Sequence, residues 1–135
     1  MLGEKIGTMK FTSENAAIES GSYGMPAMET KASGSGMLAG CEVMAQSTFT
    51  AEMRPDGSWL GECPNSGIIM CPEGVATFRA NGLGNFTEDG GVKFRGSCMF
   101  ETTSEALASL NGKAHMFTWD VDSEGNATWE VYPCN

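Results

Sequence analysis

The sequence predicts an all-β fold, an antiparallel closed barrel of about eight strands with one short helix. From Ala51 onward, short β-patterned runs alternate with hairpin-type turns at Pro55-Asp56-Gly57, Glu88-Asp89-Gly90-Gly91 and Glu124-Gly125-Asn126. The 18 glycines exceed the usual share of about 7%, while the hydrophobic content of 41% is ordinary. The glycine excess therefore indicates tight turns and kinked strands rather than disorder. A chain of 135 residues suits one domain over residues 1–135.

The N-terminal part has the weakest pattern. Residues 1–25 are predicted as a poorly defined strand and loop, with the strand over Lys5 to Thr12 and the loop over Ser13 to Gly24. From Met28 the strand pattern improves, and Gly34-Ser35-Gly36 then interrupts it, which indicates a bulge or a sharp bend. Val43 to Met53 alternates apolar and polar side chains, the period of a half-buried strand.

A hairpin is predicted at Arg54-Pro55-Asp56-Gly57, because Pro at the second turn position and Gly at the fourth suit a type I turn. The chain returns along Ser58 to Cys63. Pro64-Asn65-Ser66-Gly67 is interpreted as the next turn. Three further strands are predicted, over Gly67 to Cys71, Val75 to Asn81 and Val92 to Glu101.

One helical signal interrupts the β pattern. Thr102-Thr103-Ser104-Glu105 resembles a capping box, and Asn111-Gly112 is a suitable C-terminal stop. We therefore expect a short helix over Ser104 to Leu110, with Leu107 and Leu110 facing the core. Two final strands, Lys113 to Asp120 and Ala127 to Tyr132, would close the domain.

Charge and hydropathy narrow the expected partners. The net charge of −9 with only eight Lys and Arg leaves no basic stripe, so nucleic acid is not expected as a partner. Apolar stretches fall far short of the ~20 residues that a membrane helix needs, and Met1-Leu2-Gly3-Glu4-Lys5 lacks the apolar core of a secretory signal. We expect a cytoplasmic protein without a membrane partner.

The cysteines are expected to be reduced, buried thiols. They form an odd set without a Cys-x-x-Cys spacing: Cys41, Cys63, Cys71, Cys98 and Cys134. A disulfide between Cys63 and Cys71 is the alternative, since the two flank the Pro64 to Gly67 turn. With one histidine and no metal-ligand spacing, neither a metal nor another cofactor is expected. The ten methionines suit a greasy cavity or ordinary core filling equally well.

Several short segments together look like the signature of a family of small uncharacterised bacterial β-barrel proteins, over roughly residues 33–132. The segments are Met53-Arg54-Pro55-Asp56-Gly57, Gly74-Val75-Ala76-Thr77-Phe78, Gly82-Leu83-Gly84-Asn85-Phe86-Thr87, Phe94-Arg95-Gly96, Thr103-Ser104 to Leu110-Asn111-Gly112, and Val121-Asp122 to Gly125-Asn126. The architecture resembles allene-oxide-cyclase-like and calycin-like barrels. The resemblance implies the fold and assigns no reaction.

A closed barrel can hold a small molecule inside, so the leading functional hypothesis is binding of a small apolar or amphipathic molecule. Aromatic residues of the predicted strands would line the cavity. The candidate ligand-binding residues are Phe49, Phe78, Phe94, Phe100, Phe117, Trp119 and Trp129.

The alternative from another class is a cofactor-independent cyclase or isomerase acting inside the barrel. Arg95 and Glu101 share a strand face and, if that face points inward, could polarise an enol or carboxylate. His115 is the only histidine and could act as a general acid or base. Outward solvation of the charged residues and core packing of the histidine are the competing interpretations. A third hypothesis is a barrel filled by its own side chains that serves as an assembly unit, a homo-oligomer.

Overall fold

The computed structural model describes all of residues 1–135 and shows an all-β closed antiparallel barrel of eight strands with one short 3-10 helix. The predicted fold class is therefore confirmed. The strands are β1 (Gly7–Ile18), β2 (Ala27–Leu38), β3 (Cys41–Met53), β4 (Trp59–Cys71), β5 (Gly74–Phe86), β6 (Val92–Thr102), β7 (His115–Val121) and β8 (Asn126–Pro133), and the 3-10 helix is Glu105–Leu110.

The barrel closes between its first and last strands. Each strand pairs with the next along the chain, and β1 pairs in addition with β8, from Gly7 opposite Val131 to Thr12 opposite Asn126. Closure gives every strand a hydrogen-bonded neighbour on both sides over at least part of its length. It also separates an inner face from an outer face on every strand.

Strand β1 is longer than the sequence indicates. It continues through the polar residues that follow Thr12 and reaches Ile18, which lies opposite Ala27 of β2. The predicted loop from Ser13 to Gly24 is thus wrong over its first half. Backbone hydrogen bonds to β2 extend the strand here, and they need no apolar alternation.

Gly34 and Gly36 allow close contact between β1 and β2. The register of β2 runs without a shift against β1 and β3 at these positions, so neither glycine forms a bulge. A Cβ atom on Gly34 would collide with the carbonyl oxygen of Lys10, and one on Gly36 with that of Thr8. The glycines are therefore required because the neighbouring backbone leaves no room for a side chain.

The Pro64-Asn65-Ser66-Gly67 segment is a bulge inside β4, and the prediction of a turn between two strands was wrong. The pairing registers of β4 with β3 and with β5 both shift across it, and Asn65 has a positive φ of 68°. Cys63 and Cys71 consequently lie on one strand rather than on paired strands. All five cysteines are free thiols.

The two ends of the barrel differ. At one end the 3-10 helix covers the interior with the fully buried side chains of Leu107 and Leu110. The predicted helix is confirmed, but Ser104 does not cap it, because its hydroxyl donates to the carbonyl oxygen of Glu73 at 3.2 Å. This end is called the closed end below. The 3-10 helix spans only six residues, so the protein contains no helical segment that could span a membrane.

Four connections surround the other end, because successive hairpins of an up-and-down barrel alternate between its ends. They join β1 to β2, β3 to β4, β5 to β6 and β7 to β8, and none contains a helix. No element packs across this end. It is called the open end below.

Replacing Leu107 with alanine is expected to lower the free energy of unfolding by about 2–5 kcal/mol, because the change leaves a cavity beneath the helix. Urea denaturation followed by tryptophan fluorescence measures this loss. Leu83→Ala on the outer face of β5, where the side chain is exposed, is the matched control and should cost about 1 kcal/mol or less. Equal losses in both variants would contradict the role of Leu107 as part of a plug.

Candidate functional site

The middle of the barrel is filled by aromatic side chains. Ring centroids of Phe78 and Trp129 lie 4.8 Å apart, and those of Phe11 and Trp119 lie 5.0 Å apart. The cavity that remains among them has a volume of about 60 Å³. Such a space admits a few water molecules and no drug-sized ligand.

A larger apolar cavity of about 230 Å³ lies at the open end, and it is called the mouth. Engineered apolar cavities of about 150 Å³ bind benzene, so the mouth is large enough for a molecule of one or two rings. Its lining contains no charged side chain. The residues are Ser13, Asn15, Met28, Thr30, Phe49, Ala51, Trp59, Phe86, Val92, Phe94, Trp119 and Val121.

The rim of the mouth is built where strands meet the open-end turns. Trp59 is the first residue of β4 and Phe86 is the last of β5. Their rings form an edge-to-face pair with centroids 6.1 Å apart. Trp59 is buried, whereas Phe86 remains 64% exposed. A large aromatic side chain therefore stands at the entrance with one face in water.

The floor of the mouth consists of Phe49, Phe94 and Trp119, which line both the mouth and the small inner cavity. Phe49 packs edge-to-face on each of the other two, with centroids 6.3 Å from Phe94 and 6.0 Å from Trp119. These three rings separate the two cavities.

Polar groups occupy the β1–β2 side of the mouth. The hydroxyl of Thr30 donates to Asn15 Oδ1 at 2.7 Å, and the hydroxyl of Ser13 donates to the carbonyl oxygen of Gly125 at 2.8 Å. Trp119 differs from them, because its buried Nε1–H has no hydrogen-bond acceptor. The mouth is thus an uncharged, mainly aromatic site with one unpaired donor in its floor.

Aspartates in three of the four open-end connections place negative charge near the rim. Hydrogen bonds from the Ser58 side chain and backbone lower the pKa of Asp56, and one from the Thr87 hydroxyl lowers the pKa of Asp89. The backbone N–H of Asn126 lowers the pKa of Asp122. All three carboxylates are ionised at neutral pH, so the approach to the mouth is anionic.

The structure does not bring the three candidate catalytic residues together. Arg95 and Glu101 are exposed on the outer face of β6, where Arg95 Nη1 lies 2.6 Å from Asp120 Oδ1. They lie six positions apart along an extended strand, a distance of roughly 20 Å. His115 is buried at the start of β7, opposite Cys98 and Pro133.

His115 belongs to the packing beneath the closed end. Its ring is 1% exposed and stands edge-on to Phe100, with centroids 5.1 Å apart. Burial lowers the pKa of the imidazole, and the nearby positive charge of Lys113 lowers it further. The ring is therefore neutral at pH 7, and its Nδ1 lacks a hydrogen-bond partner.

The seven candidate wall residues all face the barrel interior but divide between its parts. Phe49, Phe94 and Trp119 lie at the mouth, while Phe78, Phe117 and Trp129 border only the small inner cavity. Phe100 lines neither of these cavities and packs in the core against Phe78, Trp129 and His115.

Sequence reasoning missed the rim residues Trp59 and Phe86. Both lie next to turns that an up-and-down barrel brings to one end, so their positions beside alternate hairpins could have identified them. Met28 is the one methionine among the mouth residues. The other methionines do not line the mouth, and Met44, Met99 and Met116 are exposed on the outer face of the barrel. Of the methionines expected to line an apolar cavity, only Met28 does so.

No group of three His, Cys, Asp or Glu side chains in the chain is arranged to hold a metal ion. Burial raises the pKa of the Cys98 thiol to about 12, so this cysteine is protonated at neutral pH. A protonated, buried thiol is a poor nucleophile and a poor metal ligand.

Protonation of His115 is expected to destabilise the fold as the pH falls from 7.5 to 5. Its lowered pKa means that the unfolded chain binds the proton more readily below pH ~6.5, so the free energy of unfolding falls by at most about 2 kcal/mol over this interval. His115→Leu should reduce that pH dependence in urea titrations at both pH values. An unchanged difference between pH 7.5 and pH 5 in the variant would show that another group is responsible.

No family model matches this sequence, and no curated protein is similar to it in sequence. The fold, in contrast, is similar to bacterial proteins of known structure. A conserved protein of unknown function from Rhodopseudomonas palustris superimposes with a TM-score of 0.81 at 11% identity, covering 98% of this chain and 97% of that one.

Two other bacterial structures give the same result. A protein of unknown function from Clostridium acetobutylicum has a TM-score of 0.82 at 15% identity, covering 98% of this chain and 99% of its own. A beta-barrel like protein from Acinetobacter baumannii has a TM-score of 0.79 at 9% identity, covering 98% and 94%. At these identities the similarity shows a shared fold. The resemblance to uncharacterised bacterial β-barrel proteins is supported at that level and not as a sequence family.

Proposed function

We propose that this protein binds a small apolar or amphipathic molecule in the mouth of its barrel. The observation that carries the proposal is the 230 Å³ apolar cavity at the one end that no helix covers. The exposed ring of Phe86 at its entrance adds support, because a large apolar side chain in water gains from contact with a ligand.

The site differs from the central cavity that the sequence suggests. The aromatic residues that would line such a cavity fill it instead, and about 60 Å³ remains. A ligand would therefore rest on the floor formed by Phe49, Phe94 and Trp119, with its outer part exposed. A shallow site of this kind suits a molecule of one or two rings rather than a long polyene or lipid chain.

The isomerase alternative has less support from the geometry. Arg95 and Glu101 lie on the outer surface, and His115 lies beneath the closed end. None of them lines the mouth. A reaction in the mouth would have to use uncharged groups, such as the hydroxyl of Thr30 or the indole of Trp119.

Binding of indane, an uncharged bicyclic hydrocarbon, tests the proposal. In ¹H–¹⁵N correlation spectra we expect saturable shifts at Phe49, Phe86, Val92 and Trp119, with little change at Leu107 in the closed end. Phe86→Ala should weaken binding about fivefold, because it removes an apolar wall of the entrance.

The matched control for Phe86→Ala is Val75→Ala, another exposed apolar residue of β5 that lies near the closed end. It should leave the affinity for indane unchanged. Shifts that do not saturate, or that spread over the outer surface, would contradict a ligand site in the mouth.

An assembly function is the second candidate, and an outer apolar patch favours it. Met44 of β3 lies opposite Met70 of β4, which lies opposite Val75 of β5. Met37 of the adjacent strand β2 and Ile68 of β4 are also exposed. Contiguous apolar surface of this kind is a common feature of contacts between subunits, and the filled interior is compatible with such a role.

Light scattering after size exclusion tests this second candidate. If the outer patch joins copies of the chain, the wild type should elute as a dimer or larger species, and Met44→Glu should convert it to a monomer. Met99→Glu, at an exposed position on β6, should keep the wild-type mass. A monomeric wild type at high micromolar concentration would rule out assembly through this patch.

A further inference from the structure

The indole N–H of Trp119 is a buried donor that the protein leaves unpaired. The side chain is 8% exposed, so bulk water does not satisfy it. Buried polar groups in native proteins nearly always have partners, and an unpaired one calls for an explanation. Trp119 lies at the floor of a cavity, so a molecule in that cavity, either water or a ligand, can supply the acceptor.

The surroundings of Trp119 supply no acceptor. The rings of Phe11 and Phe49 pack against it at centroid distances of 5.0 Å and 6.0 Å, and aromatic rings lack the lone pairs that a strong hydrogen bond requires. The indole also borders the mouth on one side and the small inner cavity on the other. Only a molecule that enters one of these spaces can accept its proton.

We propose that the ligand of the mouth carries an uncharged hydrogen-bond acceptor, such as a ketone or ether oxygen, which accepts the Nε1–H of Trp119. This inference rests on the proposed function and names the chemical class of the ligand. The acceptor lies at the inner end of the molecule, against the floor, and its apolar part contacts Trp59 and Phe86 at the rim.

Charge excludes an anionic acceptor. The lining of the mouth offers no cationic side chain, so a buried carboxylate or phosphate would lose its hydration without an opposite charge. The ionised Asp56, Asp89 and Asp122 in the surrounding connections repel an anion as it approaches, and the chain as a whole has a net charge of −9. A neutral acceptor avoids both penalties.

The size of the mouth limits the rest of the ligand. A volume of 230 Å³ suits a compact one- or two-ring molecule, and aromatic walls favour flat ring systems that can pack on them. The ligand class is thus a small cyclic ketone or ether without negative charge.

The test compares 1-indanone with indane, which share a bicyclic shape and differ by one carbonyl oxygen. The three tryptophans give three indole N–H signals in ¹H–¹⁵N spectra, and the signal absent from Trp119→Phe is that of Trp119. We expect 1-indanone to move this signal downfield, as hydrogen bonding does, and indane to leave it without a downfield shift.

Affinities give a second, independent readout. Trp119→Phe keeps an aromatic ring in the floor, removes the donor and makes the side chain smaller. The smaller ring affects both probes alike, whereas loss of the donor affects only the ketone, so the variant should weaken 1-indanone about fivefold more than indane. Trp59→Phe alters a wall of the same mouth and should change the two affinities by a common factor. Indane-2-carboxylate should bind the wild type more weakly than 1-indanone.

The outcomes separate the two proposals. If both probes bind in the mouth but Trp119→Phe changes their affinities by the same factor, the mouth is a ligand site and the acceptor inference is wrong. If neither probe binds the wild type, the proposed function fails and the inference fails with it. Well-dispersed spectra of Trp119→Phe would show that the variant is folded, as expected for a change that removes an unpaired buried donor.

Discussion

The pairing of β1 with β8 is the constraint on which the rest of the structure depends. Six residues of each strand, from Gly7 to Thr12 and from Asn126 to Val131, join the first strand to the last. Without this contact the eight strands would form an open sheet, and one aromatic face would be exposed to water. With it, side chains alternate between an apolar interior and the solvent along the strands, and the aromatic residues of β5 to β8 meet in the middle. Gly34 and Gly36 let β2 approach β1 at this point, because their Cα atoms lie against the β1 backbone.

Closure also determines which end of the barrel keeps a cavity. Hairpin connections of an up-and-down barrel alternate between its ends, so the longest connection, with the 3-10 helix, covers one end and four turns surround the other. Leu107 and Leu110 fill the space beneath the helix. At the open end no helix supplies apolar side chains to cover the interior. The rings of Phe49, Phe94 and Trp119 form the floor of the mouth there. The asymmetry between the ends explains why an otherwise filled barrel retains a cavity at one end.

Much of the fold could be predicted from the sequence, because strand alternation and turn chemistry are local signals. The Val92 to Glu101 run, the Arg54 to Gly57 hairpin and the helix after Ser104 correspond to observed elements. The errors arose where pairing overrides local pattern. Polar residues continue β1 to Ile18 because β2 provides backbone partners, and Pro64 to Gly67 bulges within β4 although its composition is typical of a turn. Local sequence signals could not predict the mouth, because Trp59, Phe86 and Trp119 come together only when the barrel closes. Whether aromatic rings line a cavity or fill it depends on their packing, which the strand pattern does not determine.

The aromatic interior and the open end together support the proposal that an apolar ligand binds in the mouth. The small inner cavity leaves too little space, and the outer face carries the charged residues Arg95 and Glu101. A crystal soaked with iodobenzene measures this directly, because anomalous scattering locates the iodine without reference to the protein coordinates. The barrel predicts iodine between the floor rings and Phe86 at the open end. Iodine found only on the outer surface, or at no ordered position in well-diffracting crystals, would contradict a ligand site in the mouth.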